Sequence, residues 1–323
     1  MGNRPDIDWF KDLKWGVFTH YLGENDQPAE DWDRQVAEFD VEGLAEQLSS
    51  VGAPYYFMTI GQNSGHYCSP NKVYDEIVGR KPSKCSQRDL ISDLYDALSK
   101  RGIELLVYLP CGAPEHDSEA TEKFEWYENP QREHWNTANG LDENGQPWGS
   151  KNARLASFQF KWNAVIEEWS KRWGKKVRGW WFDGCYFNKA MYLHDTEPNI
   201  TNFAAAAKAG NPESILAFNP GVDQFPLSSQ MAQEDYIAGE VNKSLPEVFE
   251  RWVNDSQLHI LSFLGNTWGA GTPRFTDELV AAYTKYVSLH EGVVTWDVPI
   301  QRNGLIPEAF IEQLKFISDS VSK

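Results

Sequence analysis

Eight short apolar runs, each followed by a helix-like segment, predict a (β/α)8 TIM-like barrel. Three observations carry that expectation. The 323-residue length suits one such barrel, which takes about 250 residues plus insertions. The runs are near-continuously apolar, as strands buried on both faces are. No Gly-rich phosphate loop follows an early strand, as an open doubly wound sheet would require. No internal repeat, low-complexity tract or linker interrupts the pattern, so residues 1–323 read as one domain with long loops after strands two, three and four.

The strands are expected at Trp15-Gly-Val-Phe-Thr-His20, Tyr55-Tyr-Phe-Met-Thr-Ile60, Glu104-Leu-Leu-Val-Tyr-Leu109 and Val177-Arg-Gly-Trp-Trp-Phe-Asp183. The fifth is Ser214-Ile-Leu-Ala-Phe-Asn219, and the sixth, weaker, is Asp235-Tyr-Ile-Ala-Gly-Glu240. Leu258 to Leu264 and Gly292 to Val298 complete the set. Helical periodicity marks Arg88 to Lys100, where Leu90, Ile91, Leu94 and Leu98 share a face and Gly102 supplies a stop. It recurs over Phe158–Trp173, Asp277–Leu289 and Pro307–Ile317, and more weakly over Leu245–Val253. The stretch from Pro226 to Ala232 predicts only a short or irregular crossover. Residues 111 to 156, rich in Glu, Asn, Gly and Trp, are expected to cap the active face.

Composition narrows the function. A net charge of −17 at pH 7 argues against nucleic acid, whose binding rests on Lys and Arg neutralising phosphates, and disfavours anionic membranes. A neutral substrate is the simpler reading. Fourteen tryptophans serve core packing first, but flat rings also stack on the C–H faces of sugars. Cys68, Cys85, Cys111 and Cys185 form no CxxC pair, so they read as scattered thiols, with Cys68 and Cys85 near each other if their loop folds back. The start MGNRPDIDWF has no apolar core, so no signal peptide is expected in this chain, which leaves the compartment open.

In this fold the chemistry sits at the C-terminal ends of the strands. Those ends carry His20, Gln62, Asn63, Asp183, Asn219, Glu240, Trp268 and Asp297. Asp183 follows three aromatics in Trp180-Trp-Phe-Asp-Gly184, an expensive place for a charge unless it reaches a polar pocket. Gly184 permits a sharp turn, so an Asp-Gly strand end is the alternative reading. Glu240 ends strand six, close enough to strand four for both carboxylates to face one pocket, and a surface Glu is its alternative. Two such carboxylates are what glycoside hydrolysis uses. His20 and His66 share the rim, where hydrogen bonding to a sugar hydroxyl, packing and metal ligation all stay open. Trp181, Trp296 and Trp268 are candidates for stacking on sugar. No GxSxG elbow, HExxH, Walker loop or EF-hand pattern occurs.

Taken together these segments resemble glycoside hydrolase family 29, the α-L-fucosidases. Trp9 to His20 is similar to the family's opening strand, and Asp40 to Thr59 to its second βα unit. Gln87 through Gly102, the WWFDG run at 180–184, Asp235 to Glu240, and Asp297-Val-Pro299 with Gly304 to Pro307 follow in order. The resemblance implies a retaining exo-glycosidase with Asp183 as nucleophile, Glu240 as acid/base and His20 as a sugar ligand. It implies no metal and no organic cofactor, and a chain of this length would lack the family's C-terminal β-sandwich. Departures fall in the sugar-recognition set. Gln62 and Asn63 stand for paired histidines, Leu109 for a tyrosine, Asp297 for an asparagine, and Asn219-Pro-Gly221 where an arginine is usual. Specificity is thereby opened to sugars other than L-fucose. A non-catalytic sugar-binding barrel and a metal-dependent hydrolase or isomerase using His20, His66 and Asp183 are the competing readings.

Overall fold

The computed structural model describes residues 5–126, 154–186 and 191–321. Its main sheet has seven strands. These are β1 (Trp15–Thr19), β2 (Tyr55–Thr59), β3 (Glu104–Pro110), β4 (Gly179–Asp183) and β5 (Ile215–Phe218), then, beyond a small hairpin of β6 (Trp252–Val253) and β7 (Ser256–Gln257), β8 (His259–Phe263) and β9 (Val293–Asp297). The order is β5-β4-β3-β2-β1-β9-β8, and each pairing is parallel. Helices cover the outer face, the longest running from Ala156 to Trp173.

The two edges of this sheet meet one segment. Leu216 on β5 and Asp235 exchange bonds, with Asp235 N–H donating to the Leu216 carbonyl and Leu216 N–H to the Asp235 carboxylate. On the other side Leu261 N–H donates to Gly239 O and Val241 N–H to Leu261 O, both at 2.9 Å. The sheet is therefore curled into a barrel-like form. The sixth strand expected over 235–240 is not regular. It is reduced to isolated bridges, Tyr236 with Gln257 and Glu240 with Leu261. Two local features break the ladder: the Asp235 side chain takes a backbone donor, and Gly239 adopts φ +62°.

The segment still follows a strand's alternation. Tyr236 and Ala238 pack inside with Phe18, Phe57, Tyr108, Trp181 and Leu261, while Ile237 and Val241 join the outer core beneath the helices. The short helix Asp8–Leu13 plugs the interior, its buried Phe10 lying against the rings of Tyr55, Tyr236 and His259. Most buried tryptophans are anchors of the outer layer with satisfied N–H groups. Trp32, Trp162 and Trp169 donate to the carbonyls of Tyr67, Pro110 and Pro70.

The helix expected over Arg88–Lys100 is present as Leu90–Leu98. Asp89 caps it by accepting from Ser92 N–H, and Gly102 at φ +69° ends the following turn. The helix expected over Leu245–Val253 is absent. Pro246 lacks an N–H, and Asn254 and Asp255 both take positive φ, the requirement of a tight hairpin turn joining β6 to β7. Residues 226–232 are irregular, as expected, and are gathered by Glu234, which accepts from Gln230 N–H and Met231 N–H. The expected cap over 111–156 lies largely outside the described residues. Its described start carries a short helix, Ser118–Lys123, and a Trp126–Phe158 ring contact.

Gly239 is the tightest point of this construction that bears on the site. A Cβ there would overlap the His259 carbonyl oxygen, and the positive φ penalises any side chain as well. Gly239→Ala is expected to destabilise the fold by about 3 kcal/mol or more, read by denaturant unfolding, and to depress turnover of the surviving folded protein because Glu240 is the next residue.

Candidate active site

Asp183 is the last residue of β4 and points into the mouth of the curled sheet. Its Oδ1 accepts from Gly184 N–H and from the Asn219 side-chain amide, both at 2.8 Å, and its Oδ2 accepts from the Tyr108 hydroxyl at 2.6 Å. Gly184, at φ +78°, makes the turn that bends the chain back over the carboxylate. Tyr108 in turn accepts from Gln62 Nε2 at 2.7 Å, so its own proton is directed to Asp183. Burial and the Asp183 charge hold the Tyr108 phenol neutral, well above its ordinary range. Tyr186 is held up in the same way, by burial and then by Asp183 and Glu240.

Glu240 faces Asp183 from the segment between β5 and β8. The same Asn219 Nδ2 that donates to Asp183 also donates to Glu240 Oε2 at 2.6 Å. The two carboxylate oxygens it touches are therefore no farther apart than the sum of 2.8 and 2.6 Å, about 5.4 Å. Burial, then repulsion from Asp183 and Asp223, push the Glu240 carboxyl up to about 8, and the Asn219 bond opposes them. This environment suits Glu240 to hold a proton.

Around the pair lies a cavity of about 220 Å3. Phe18, Leu22, Leu261, Trp181 and Trp268 form its apolar walls, and His20, Gln62 and Tyr108 add polar edges. Below it, Phe18, Phe57, Tyr108, Trp181, His259 and Leu261 pack so closely that no water fits, which gives the cavity a blind floor. Among the described residues lining it, none is a lysine or arginine.

The structure sorts the residues singled out in the sequence. His20, Gln62, Trp181 and Trp268 line the cavity with the two carboxylates. Trp181 is fixed by donation to Ala238 O and Trp268 by donation to Asn242 Oδ1. Asn219 is buried and bridges the carboxylates. Asp297 is fully buried, where it accepts from His20 Nδ1 at 2.8 Å and Gly269 N–H at 2.6 Å. Burial raises its carboxyl and His20 pulls it back, so it orients His20 and the Trp268 loop from behind. Three others stand apart. His66 is buried, with Nε2 at Gln27 O and Nδ1 at Ser64 Oγ, and burial lowers it to about 4. The Asn63 carbonyl accepts from His116 N–H, and the Asn63 side chain is absent from the cavity lining. Trp296 points outward, donating to Thr284 Oγ1 within the outer core.

Two features escape the sequence reading. Tyr108 shares the inward parity of Leu106 on β3, a signal that strand alternation carries. Cys111 and Cys185, read as scattered thiols, form a disulfide beside Asp183, whereas Cys68 and Cys85 are free and buried. Spacing alone could not pair them, because 74 residues separate them and only the adjacency of β3 and β4 brings them together. Among the described residues no cluster of three or more His, Cys, Asp or Glu is arranged to hold an ion, and no helix is long and apolar enough to cross a membrane.

Comparison with known proteins bears on this geometry. The family model described as alpha-L-fucosidase matches residues 27–323. The endo-fucoidan hydrolase P5AFcnA of glycoside hydrolase family 107 superposes with TM-score 0.68 at 13% identity, over 96% of this chain and 92% of its own. A variant of the α-L-fucosidase AlfC, in complex with 4-nitrophenyl-α-L-fucopyranoside substrate, superposes with TM-score 0.65 at 16% identity over 98% of both chains. The endo-fucoidan hydrolase MfFcnA4 gives 0.71 at 16% identity, over 97% of this chain and 53% of its own. At these identities the likeness is one of fold. No curated protein matches significantly in sequence.

The raised Glu240 carboxyl has a cost for stability. In the unfolded chain it ionises near its ordinary 4.5, while in the native fold it keeps its proton to about 8. The unfolded state therefore binds fewer protons between those values, and stability falls as pH rises through that window. Glu240→Gln removes the effect. Its melting temperature is expected to exceed the wild type's by a margin that widens from pH 5 to pH 8, measured by thermal unfolding.

Proposed function

The chain belongs to the α-L-fucosidase family and is a glycosidase; from there we propose that it retains anomeric configuration through a covalent glycosyl-enzyme, with Asp183 as nucleophile and Glu240 as acid/base. The observation that carries this reading is the shared Asn219 amide, which keeps the two carboxylates within about 5.4 Å. Retaining enzymes hold the pair about 5–5.5 Å apart, and inverting enzymes need about 6.5–9.5 Å to admit a water between them.

The reaction follows from the groups present. A glycoside enters with its anomeric carbon over Asp183. Glu240 donates its proton to the leaving oxygen as Asp183 attacks, and the aglycone departs. Glu240, now ionised, takes a proton from the incoming water, which releases the sugar and restores both groups. Tyr108 and Asn219 steady the Asp183 carboxylate by donating to both of its oxygens. His20, oriented by Asp297, and Gln62 supply polar contacts to sugar hydroxyls, and Trp181 and Trp268 supply stacking faces. The blind floor and the cavity size favour a terminal sugar, hence exo action. The described lining, which holds no lysine or arginine, favours a neutral one. Gln62 in place of an imidazole supports a specificity displaced from L-fucose. The 235–241 segment, bonded to β5 and β8 and alternating inward and outward, supports reading the sheet as a closed (β/α)8 barrel spanning one domain.

Asp183→Gly is expected to lower turnover by about 10³-fold or more and to regain it with azide, which fills the vacated space as an external nucleophile. The assay is hydrolysis of aryl glycosides spanning L-fucoside, L- and D-galactoside, D-glucoside, arabinoside and rhamnoside in both anomers. Near-normal activity of Asp183→Gly on the best of these would exclude the assignment.

Because the leaving oxygen needs the Glu240 proton, kcat/KM is expected to fall as pH rises through about 8. The descending limb should vanish in Glu240→Gln when assayed on an activated aryl glycoside that needs no protonation. Survival of that limb in the variant would assign it to another group.

A further inference from the structure

We propose that the Cys111–Cys185 disulfide is a positioning element for Asp183, setting the carboxylate's attack geometry by pinning the ends of β3 and β4. The proposal rests on the reading of Asp183 as nucleophile. Cys111 is the residue after β3, and Cys185 lies two residues beyond Asp183. Cys111 N–H donates to the Asp183 carbonyl at 2.6 Å, and Cys185 N–H to the Asn219 carbonyl at 2.9 Å. The bond thus joins the chain that carries Tyr108 to the chain that carries Asp183, immediately above the Tyr108–Asp183 hydrogen bond.

The same bond closes the turn between Asp183 and Cys185. Gly184 is its pivot, at φ +78°, with its N–H donating to Asp183 Oδ1. Glycine resists rotation least of all residues, so a covalent anchor one residue beyond the pivot limits how far the turn can swing. The cystine is fully enclosed, both residues being about 1% exposed, so it acts as a fixed strut. A carboxylate displaced by about 1 Å can lose on the order of 10²-fold in rate. Of the groups proposed to contact sugar, His20, Gln62 and Trp268 stand on other elements, and Trp181, though on β4, is held by its own bond to Ala238 O.

The test compares Cys111→Ala/Cys185→Ala with the wild type, each at a temperature where circular dichroism shows it folded. On the best aryl glycoside kcat is expected to fall about 10- to 100-fold, with KM within about three-fold. Equal kcat, or a loss confined to KM, would overturn the proposal. Should the double variant not fold, the wild-type chain is unfolded in denaturant, reduced with a phosphine and refolded with the reductant present, so that the enclosed cystine stays as two thiols. Turnover is then expected to drop as the thiol count rises from two to four and to return on reoxidation. Full turnover at four thiols would overturn it equally. Asp183→Gly run in parallel separates the two failures. If it stays active, the nucleophile reading falls. If it is inactive and azide-rescued while the Ala pair is unimpaired, only the positioning role falls.

Discussion

One side-chain amide, that of Asn219, touches both carboxylates at the mouth of the sheet, and the arrangement of the site follows from that closeness. Two carboxylates so near each other resist being charged together, more so when little water screens them. The fold answers by giving them unequal company. Asp183 receives donors at both oxygens, from Gly184, Asn219 and Tyr108. Glu240 receives only the Asn219 amide among the bonds described and faces the Asp183 and Asp223 charges. Burial and the neighbouring charges therefore favour the proton on Glu240.

That inequality depends on architecture several residues away. The inner core of Phe18, Phe57, Tyr108 and Trp181 fills the sheet's interior and raises the two carboxylates onto a dry floor. Tyr108 stacks on Trp181 with ring planes 17° apart, so the hydroxyl that reaches Asp183 is set by packing before it is set by hydrogen bonding. Gln62 fixes where that hydroxyl's proton points. Gln62 thus lines the cavity and also touches the group that supports the proposed nucleophile. A change of specificity and a change of reactivity would be coupled through it.

Much of this was legible in the sequence. The apolar runs became β1 to β5, β8 and β9 almost residue for residue, because strands buried on both faces leave an unbroken apolar signature. Strand six read weakly and is irregular, since Gly239 and the Asp235 side chain interrupt its ladder. The helix expected near Leu245 failed because Asn254-Asp255, a turn signal, outweighed a helical period interrupted by Pro246. At the site, strand ends located His20, Asp183, Asn219 and Glu240, but position does not say which way a side chain is used. His66 and Trp296 carry the right chemistry and spend it inside the fold. Tyr108 and the cystine are products of register between β3 and β4, which only three-dimensional pairing reveals.

The proposed catalytic pair is mounted on unequal supports. Asp183 ends a strand paired on both sides and covalently braced one turn later. Glu240 sits on the stretch whose hydrogen bonding is the most fragmentary of the curled sheet, next to a glycine in a left-handed conformation. Opening fluctuations that expose amides to exchange start where the ladder is thinnest. Residues 235–241 are thus the stretch where the sheet would breathe first, carrying the proposed proton donor away while the frame of the proposed nucleophile stays in place. Heating or denaturant would then remove leaving-group protonation before global unfolding, so substrates with good leaving groups would outlast those with poor ones.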